Sequence, residues 1–514
     1  MLQLDYTGHP LFDVGLAAMT AFVHKDNPTD LTYADLSEVA DYIETYYTEQ
    51  PLSSFLTVSL MNSDFTQPAF KDNLERKRAY AARVARSFDT SVAKSEAVCV
   101  FTGQPALGIS LSLKKDKEGK EELPPGMAYR QHIPLITGEG IINFSSWGDP
   151  GLPVSGEALL CLQFFPMGCR KCSGRLLAIH SENPEIILDA AREALQENIR
   201  AISLASAKGE TKLRDAPQTV QTLLIDTLLE MDSRRRDAHG VSQPFSVTAY
   251  HLTNSGQSSP LDEKSPPLKI YHLPLEIIRF LLMVNSPDYR PAWKKIVARG
   301  WELSKPIKKP LADKGEMSDD LPSHEYRRNY VYEDIFYLPE NAQKFVRMYL
   351  LRVPKRNSMQ VDPRRSYNLR KDIDLISWRL TELFLWEVMH MEKERIEEIR
   401  KLGDTLAAYV KEQDDKGFFH NFYRVRRPGD FRTLLLRANY KYVKAGHAPL
   451  LKYDPYLTVF EEGEEVPRAD WSLARDLVLI RMIEWLHSHN WFGEHADALP
   501  DDSEIDTALV GNEQ

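Results

Sequence analysis

Cysteine offers the sharpest chemistry in this chain. Cys169-Arg170-Lys171-Cys172 is a C-x-x-C spacing, which in a tight turn aims two thiolates at one metal ion. A structural zinc site needs four such ligands. Cys99 is a third candidate, and Thr102 stands where a second C-x-x-C would close; Cys161 with His132 or His180 could complete the set. The alternative is a knuckle of reduced thiols that joins two loops by packing alone. A redox role is disfavoured because no thioredoxin-like βαβ pattern surrounds the pair. Other chemistry is missing: there is no G-x-x-x-x-G-K-[ST] phosphate loop, no H-E-x-x-H and no G-x-S-x-G. His9 and Asp13 share a metal-like i, i+4 spacing, but a carboxylate in a first helical turn also suits the helix dipole. No catalytic residue is assigned.

Two further features suit binding. The segment His132–Pro153 is punctuated by Gly and Pro and carries Asn143, Ser145, Ser146 and Trp147. Asn can hydrogen-bond base edges and Trp can stack or wedge; equally, Phe144 and Trp147 could anchor a core. Basic residues also cluster with aromatics at Arg364, Arg365, Arg370 and Lys371, and again at Arg424, Arg426, Arg427, Arg432 and Arg437. Such stripes can track a phosphate backbone, or they can be solvated helix faces.

The elements that must hold these residues indicate an α+β fold. The 514 residues predict two to four domains, and 43% hydrophobic content allows a sizeable core. Four cysteines point to a reducing, cytoplasmic setting. No apolar run reaches the roughly 18 residues of a membrane span, and the N-terminus has no secretory pattern. Net charge is -10, which taken alone opposes nucleic acid. However, residues 461–514 hold fourteen acids against three bases, so the remainder is near neutral. Helices are expected at about 10–24, 31–48 (capped by Thr32), 71–87, and from Asn183 onward. A strand is expected at Phe245–Tyr250, with helices resuming near 274–285 and 290–303. The region beyond about 335 is expected to be helical, its longest helix at about 370–401, followed by helices at 402–414, 430–445 and 468–489. This gives a mixed N-terminal domain, 1–340, and a bundle of about four helices, 360–514, with the boundary near 340–365.

Three passages share a further likeness. Tyr6-Thr-Gly-His-Pro-Leu-Phe-Asp-Val-Gly15, His132-Ile-Pro-Leu-Ile-Thr-Gly-Glu-Gly-Ile-Ile-Asn-Phe144, and Gly151–Leu160 followed by Gly168–His180 together resemble the large subunit of the type I-B CRISPR-Cas effector complex (Cascade), in its CXXC-CXXC subfamily. The second cysteine pair of that pattern departs here at Thr102, which leaves a four-thiolate zinc site incomplete. The resemblance implies a non-catalytic role. Such a subunit contacts the protospacer-adjacent motif (PAM), helps open the duplex and stabilises the R-loop. The implied partners are CRISPR RNA, target double-stranded DNA, the Cascade backbone, foot and small subunits, and a trans-acting nuclease-helicase or transposition factors; no membrane is involved. PAM or duplex contacts would fall to Asn143, Ser145, Ser146, Trp147, Lys114, Lys115, Lys117 and Lys120, and the displaced strand to the two basic stretches. An internal start at Met359, Met348 or Met317 could yield the C-terminal bundle alone. The competing classes are a zinc-dependent nuclease or hydrolase and a helical adaptor that binds only proteins.

Overall fold

The computed structural model describes residues 2–114, 123–136, 151–240, 243–254, 265–303, 326–351, 373–462 and 466–499. It is an α+β structure, with helices, small antiparallel sheets and a helical C-terminal region. Its contacts fall into two units, Met1–Arg235 with Phe245–Leu275, and Arg236–Pro244 with Glu276–Gln514.

The first unit is organised around helix α1, Pro10–Phe22, which has proline at its start, where a missing N–H costs nothing. The sequence pattern suggests one apolar face, but residues Leu11 to Ala21 are all buried. The reason is that α1 meets α4 (Gly156–Phe164), α5 (Pro184–Ala207) and a sheet strand on different sides. A helix covered all round is apolar nearly all round; its buried polar exceptions, Asp13 and Thr20, are hydrogen-bonded. Gly15 permits the closest approach: a Cβ there would overlap the Cys161 carbonyl of α4. Between them in sequence come α2, Tyr33–Tyr46, and α3, Leu74–Ala85. Thr32 caps α2 as expected, in a reciprocal box with Asp35, and Asn183 caps α5 by accepting the Glu185 N–H at 3.0 Å.

The four-stranded sheet of this unit is an antiparallel meander of β1 (Arg170–Cys172), β2 (Arg175–His180), β3 (Val247–Leu252) and β4 (Leu268–Leu273). Its register pairs Ala178 with Tyr250 and Ala249 with Tyr271. Ser173 and Gly174, at φ 51 and 74, close the β1–β2 hairpin. Positive φ at both residues is the type I′ geometry, which matches strand twist. Alternation in the sequence predicts only β3.

The second unit is helical: α6 (Leu275–Val284), α7 (Arg290–Arg299), α8 (Trp378–Glu387), α9 (Lys393–Gln413), α10 (Lys416–Arg424), α11 (Pro428–Lys444), α12 (Tyr453–Phe460) and α13 (Trp471–Ser488). The single long helix expected at 370–401 is two helices. His390 adopts φ 50, and the Met389 and Met391 N–H groups reach back to Phe384 and Leu385 carbonyls, ending α8 before α9 begins. Helix α9 in turn absorbs the one expected at 402–414, and ends at Asp414, φ 48. Helix α13 is buried along Leu473–Ile483 and packs along α9. The boundary expected near 340–365 falls inside this unit, where Arg347 of a π-helical turn, Val346–Leu351, donates to Asp476 of α13 at 2.7 Å. Met348 lies in that turn; Met317 and Met359 lie outside the described residues.

Candidate nucleic-acid interface

Part of the C-terminal basic stretch gathers at one surface. Residues 416–444 contain eight Lys and Arg against a single Asp. Two buried rings fix its geometry: Phe422 near the end of α10 and Phe431 in the first turn of α11 pack at 5.2 Å, both 1% exposed or less. The chain between these anchors is forced outward. Val425 accepts a hydrogen bond from Arg475 Nη1, which holds the connecting turn. Arg424, Arg426 and Arg427 are therefore exposed, and with Arg437 of α11 they rim an open cleft of about 550 Å³. Asn421 and Thr433 lie between them, and Asp430 is its one acid.

Neighbouring acids are already engaged. Asp415 accepts from the Phe418 N–H at 2.9 Å, Tyr409 Oη at 2.9 Å and Lys441 Nζ at 2.8 Å. Burial works against its carboxylate, but the hydrogen bonds from Lys441, Phe418 and Tyr409 outweigh it and hold the pKa below the usual value. Glu412 accepts from Tyr442 at 2.7 Å. The acidity beyond residue 460 is also partly internal. Glu461 is buried and lies 3.8 Å from Arg432, Asp470 is clamped by both terminal nitrogens of Arg395 at 2.7 and 2.9 Å, and Asp476 is paired with Arg347 and Arg475. The rim of the cleft is thus predominantly cationic, and an arginine-rimmed cleft can clamp phosphate oxygens with directed N–H donors.

The sequence candidates divide accordingly. Arg424, Arg426, Arg427 and Arg437 are brought together at the cleft. Arg432 is half-buried and turned toward Glu461, so it supports the fold rather than the rim. Lys114 is exposed. Lys115, Lys117, Lys120, Asn143, Ser145, Ser146, Trp147, Arg364, Arg365, Arg370 and Lys371 lie outside the described residues.

The cysteines are arranged otherwise than a zinc knuckle requires. The chain reversal follows the C-x-x-C instead of lying within it, because Arg170–Cys172 is strand. Side chains three apart in an extended chain point to opposite sides. The Cys169 thiol donates to the Phe165 carbonyl at 3.3 Å and the Cys172 thiol to that of Gln218 at 3.4 Å. Burial pushes both thiols up in pKa, away from the thiolate a metal needs. Cys99 is buried in the core of the first unit. Among the described residues no group of three His, Cys, Asp or Glu is placed to hold a metal. Each of the two thiols is thus engaged with a different carbonyl.

Two buried polar centres were not legible as such. Asp13, 1% exposed, accepts from the Thr7 N–H at 2.8 Å, Thr7 Oγ1 at 3.1 Å, the Gly8 N–H at 2.9 Å, and stands 2.9 Å from His180 Nε2 in β2. It ties the N-terminal segment to the sheet. His9, its i, i+4 neighbour, instead packs edge-on against Phe101. His132 is buried, with Nδ1 accepting the Tyr129 N–H at 3.1 Å. Burial lowers its pKa to about 4. Both histidines considered as zinc ligands thus have internal partners.

No helix among the described residues is long and apolar enough to cross a membrane. No family model, curated protein or solved structure matches the chain.

Proposed function

We propose that this chain is a non-catalytic, nucleic-acid-binding large subunit of a type I-B CRISPR RNA-guided surveillance complex. In this reading it contacts the PAM, helps open the duplex, holds the displaced strand, and presents the complex to a trans-acting nuclease-helicase or to transposition factors. The observation that carries it is the cleft rimmed by Arg424, Arg426, Arg427 and Arg437, beside helices whose nearby acids are engaged internally. The three glycine-rich passages support the more specific assignment by resemblance. Guide RNA would supply sequence recognition by pairing, and protein surfaces the electrostatic hold.

The test is target-DNA binding by the full chain across several salt concentrations. Charge reversal at Arg424, Arg426 and Arg427 weakens binding by about tenfold or more. It also flattens the plot of log affinity against log salt by about two to three, since each phosphate neutralised contributes just under one to the slope. Unchanged affinity and slope remove the cleft from the interface. Capture of a repeat-flanked RNA by the wild-type chain separates the CRISPR assignment from general DNA binding.

A further inference from the structure

We propose that the outward stripe of α11 is a stacking platform for a single nucleic-acid strand, with Tyr440 against one base and Arg437 and Lys444 at the flanking phosphates. This rests on the nucleic-acid reading and deepens it by naming the side chain that would meet an unpaired base.

Helix α11 buries Phe431, Leu435 and Ala438 and turns a different face outward. That face is not simply polar. Leu436, Tyr440 and Val443 stand 57%, 71% and 43% exposed at i, i+4 and i+7, an apolar row of the kind that usually marks a contact surface. Arg437 and Lys444, both exposed, lie three before and four after Tyr440, so their stems leave the helix about 10 Å apart along its axis. The same helix carries Arg437 into the arginine cleft at its N-terminal end. Lys441, between them, is held by Asp415 and helps fix the helix on α10. A flat ring between two cations, continuous with a phosphate-binding cleft, matches an unpaired strand: the base covers the apolar ring and the backbone meets the charges. Paired bases in a duplex offer no free face to the ring.

The full-length chain is titrated with a labelled DNA strand and with the corresponding duplex. Tyr440→Ala weakens single-strand binding by about fivefold to a hundredfold, leaves its salt slope unchanged because no charge is removed, and leaves duplex binding unaltered. Tyr440→Phe retains the affinity. Tyr440→Trp gives an indole whose fluorescence is quenched when the strand binds. Wild-type affinity in Tyr440→Ala, or equal losses for strand and duplex, overturns the platform. If Arg427→Gln with Arg437→Gln still weakens binding in that case, the cleft reading survives. If the wild-type chain binds neither probe at any salt concentration, both fall.

Discussion

Polar chemistry is used in opposite ways in the two units. In the first, the titratable groups that attract attention are sealed inside. Asp13, His132, Cys99, Cys161 and Cys169 are each 2% exposed or less. Their bonds are internal: His132 and Cys169 hold neighbouring turns, and Asp13 joins residues 7 and 8 to His180 in the sheet. In the second unit, the charges that would be costly inside are paired across helices, as in Arg395–Asp470 and Arg347–Asp476, while a set of arginines stands at the surface around the cleft. The contrast separates folding from function. Residues of the first kind should affect stability and those of the second kind binding, with little crossover.

The largest expected effect is at Asp13. Asp13→Ala removes the acceptor shared by the Thr7 and Gly8 N–H groups and the Thr7 hydroxyl, and the partner of the His180 ring. The loss is about 3–5 kcal/mol, because several hydrogen bonds to one carboxylate, each worth about 1.5 kcal/mol, go together, and reads as a large drop in the urea midpoint. A change below about 1 kcal/mol breaks the claim that this carboxylate organises the unit. The next is a pH effect at His132. Its folded pKa, about 4, lies below the unfolded value near 6.5. Between these two values the unfolded chain binds the extra proton, so stability falls as pH falls through that window, by about 3 kcal/mol in all. Above pH 6.5 both states are neutral and the effect is absent. His132→Asn keeps an acceptor for the Tyr129 N–H and removes the titration; urea unfolding from pH 7 to pH 4 should lose that part of its slope. A smaller effect distinguishes packing from shared metal at the C-x-x-C. Cys169→Ala and Cys172→Ala cost about 1 kcal/mol each and add within about 0.5 kcal/mol, because the thiols bond different carbonyls. Strong non-additivity would place both on one ion.

Much of this frame is legible in the sequence, and the failures have physical causes. Caps are readable because Thr32 and Asn183 act on N–H groups two or three residues away. The break between α8 and α9 is not. No Gly or Pro occurs between Ile376 and Leu402, and Leu385, Met389 and Ile396 keep helical spacing through it. The break is set by the left-handed His390 and the backbone bonds that close α8, against what propensity alone would give. Strand β4 is hidden because Ile270, on its outward side, is 57% exposed, which spoils the alternation. The C-x-x-C spacing could not say whether its inner residues turn or extend; that is decided by the Ser173-Gly174 hairpin beyond it. The basic stretch is legible as charge, but the departure of Arg432 to Glu461 depends on a contact 29 residues away in sequence.

The smallest expected effect is the most demanding of the comparison. Arg427→Gln with Arg437→Gln removes two exposed cations at the cleft, whereas the Asp13 carboxylate is buried in the first unit. Exposed charges contribute little to stability in high dielectric, and substitutions at such positions usually stay within about 0.5 kcal/mol. The urea midpoint of the double variant should therefore match that of the wild type, while its DNA affinity and salt slope decline together. A stability loss of about 2 kcal/mol or more, well outside the usual surface range, would mean that these arginines hold α11 in place, and the weakened binding would then report a displaced helix. Unchanged stability with a reduced salt slope assigns the two charges to the ligand, because removing a phosphate-binding cation from an intact surface changes the slope without changing the fold.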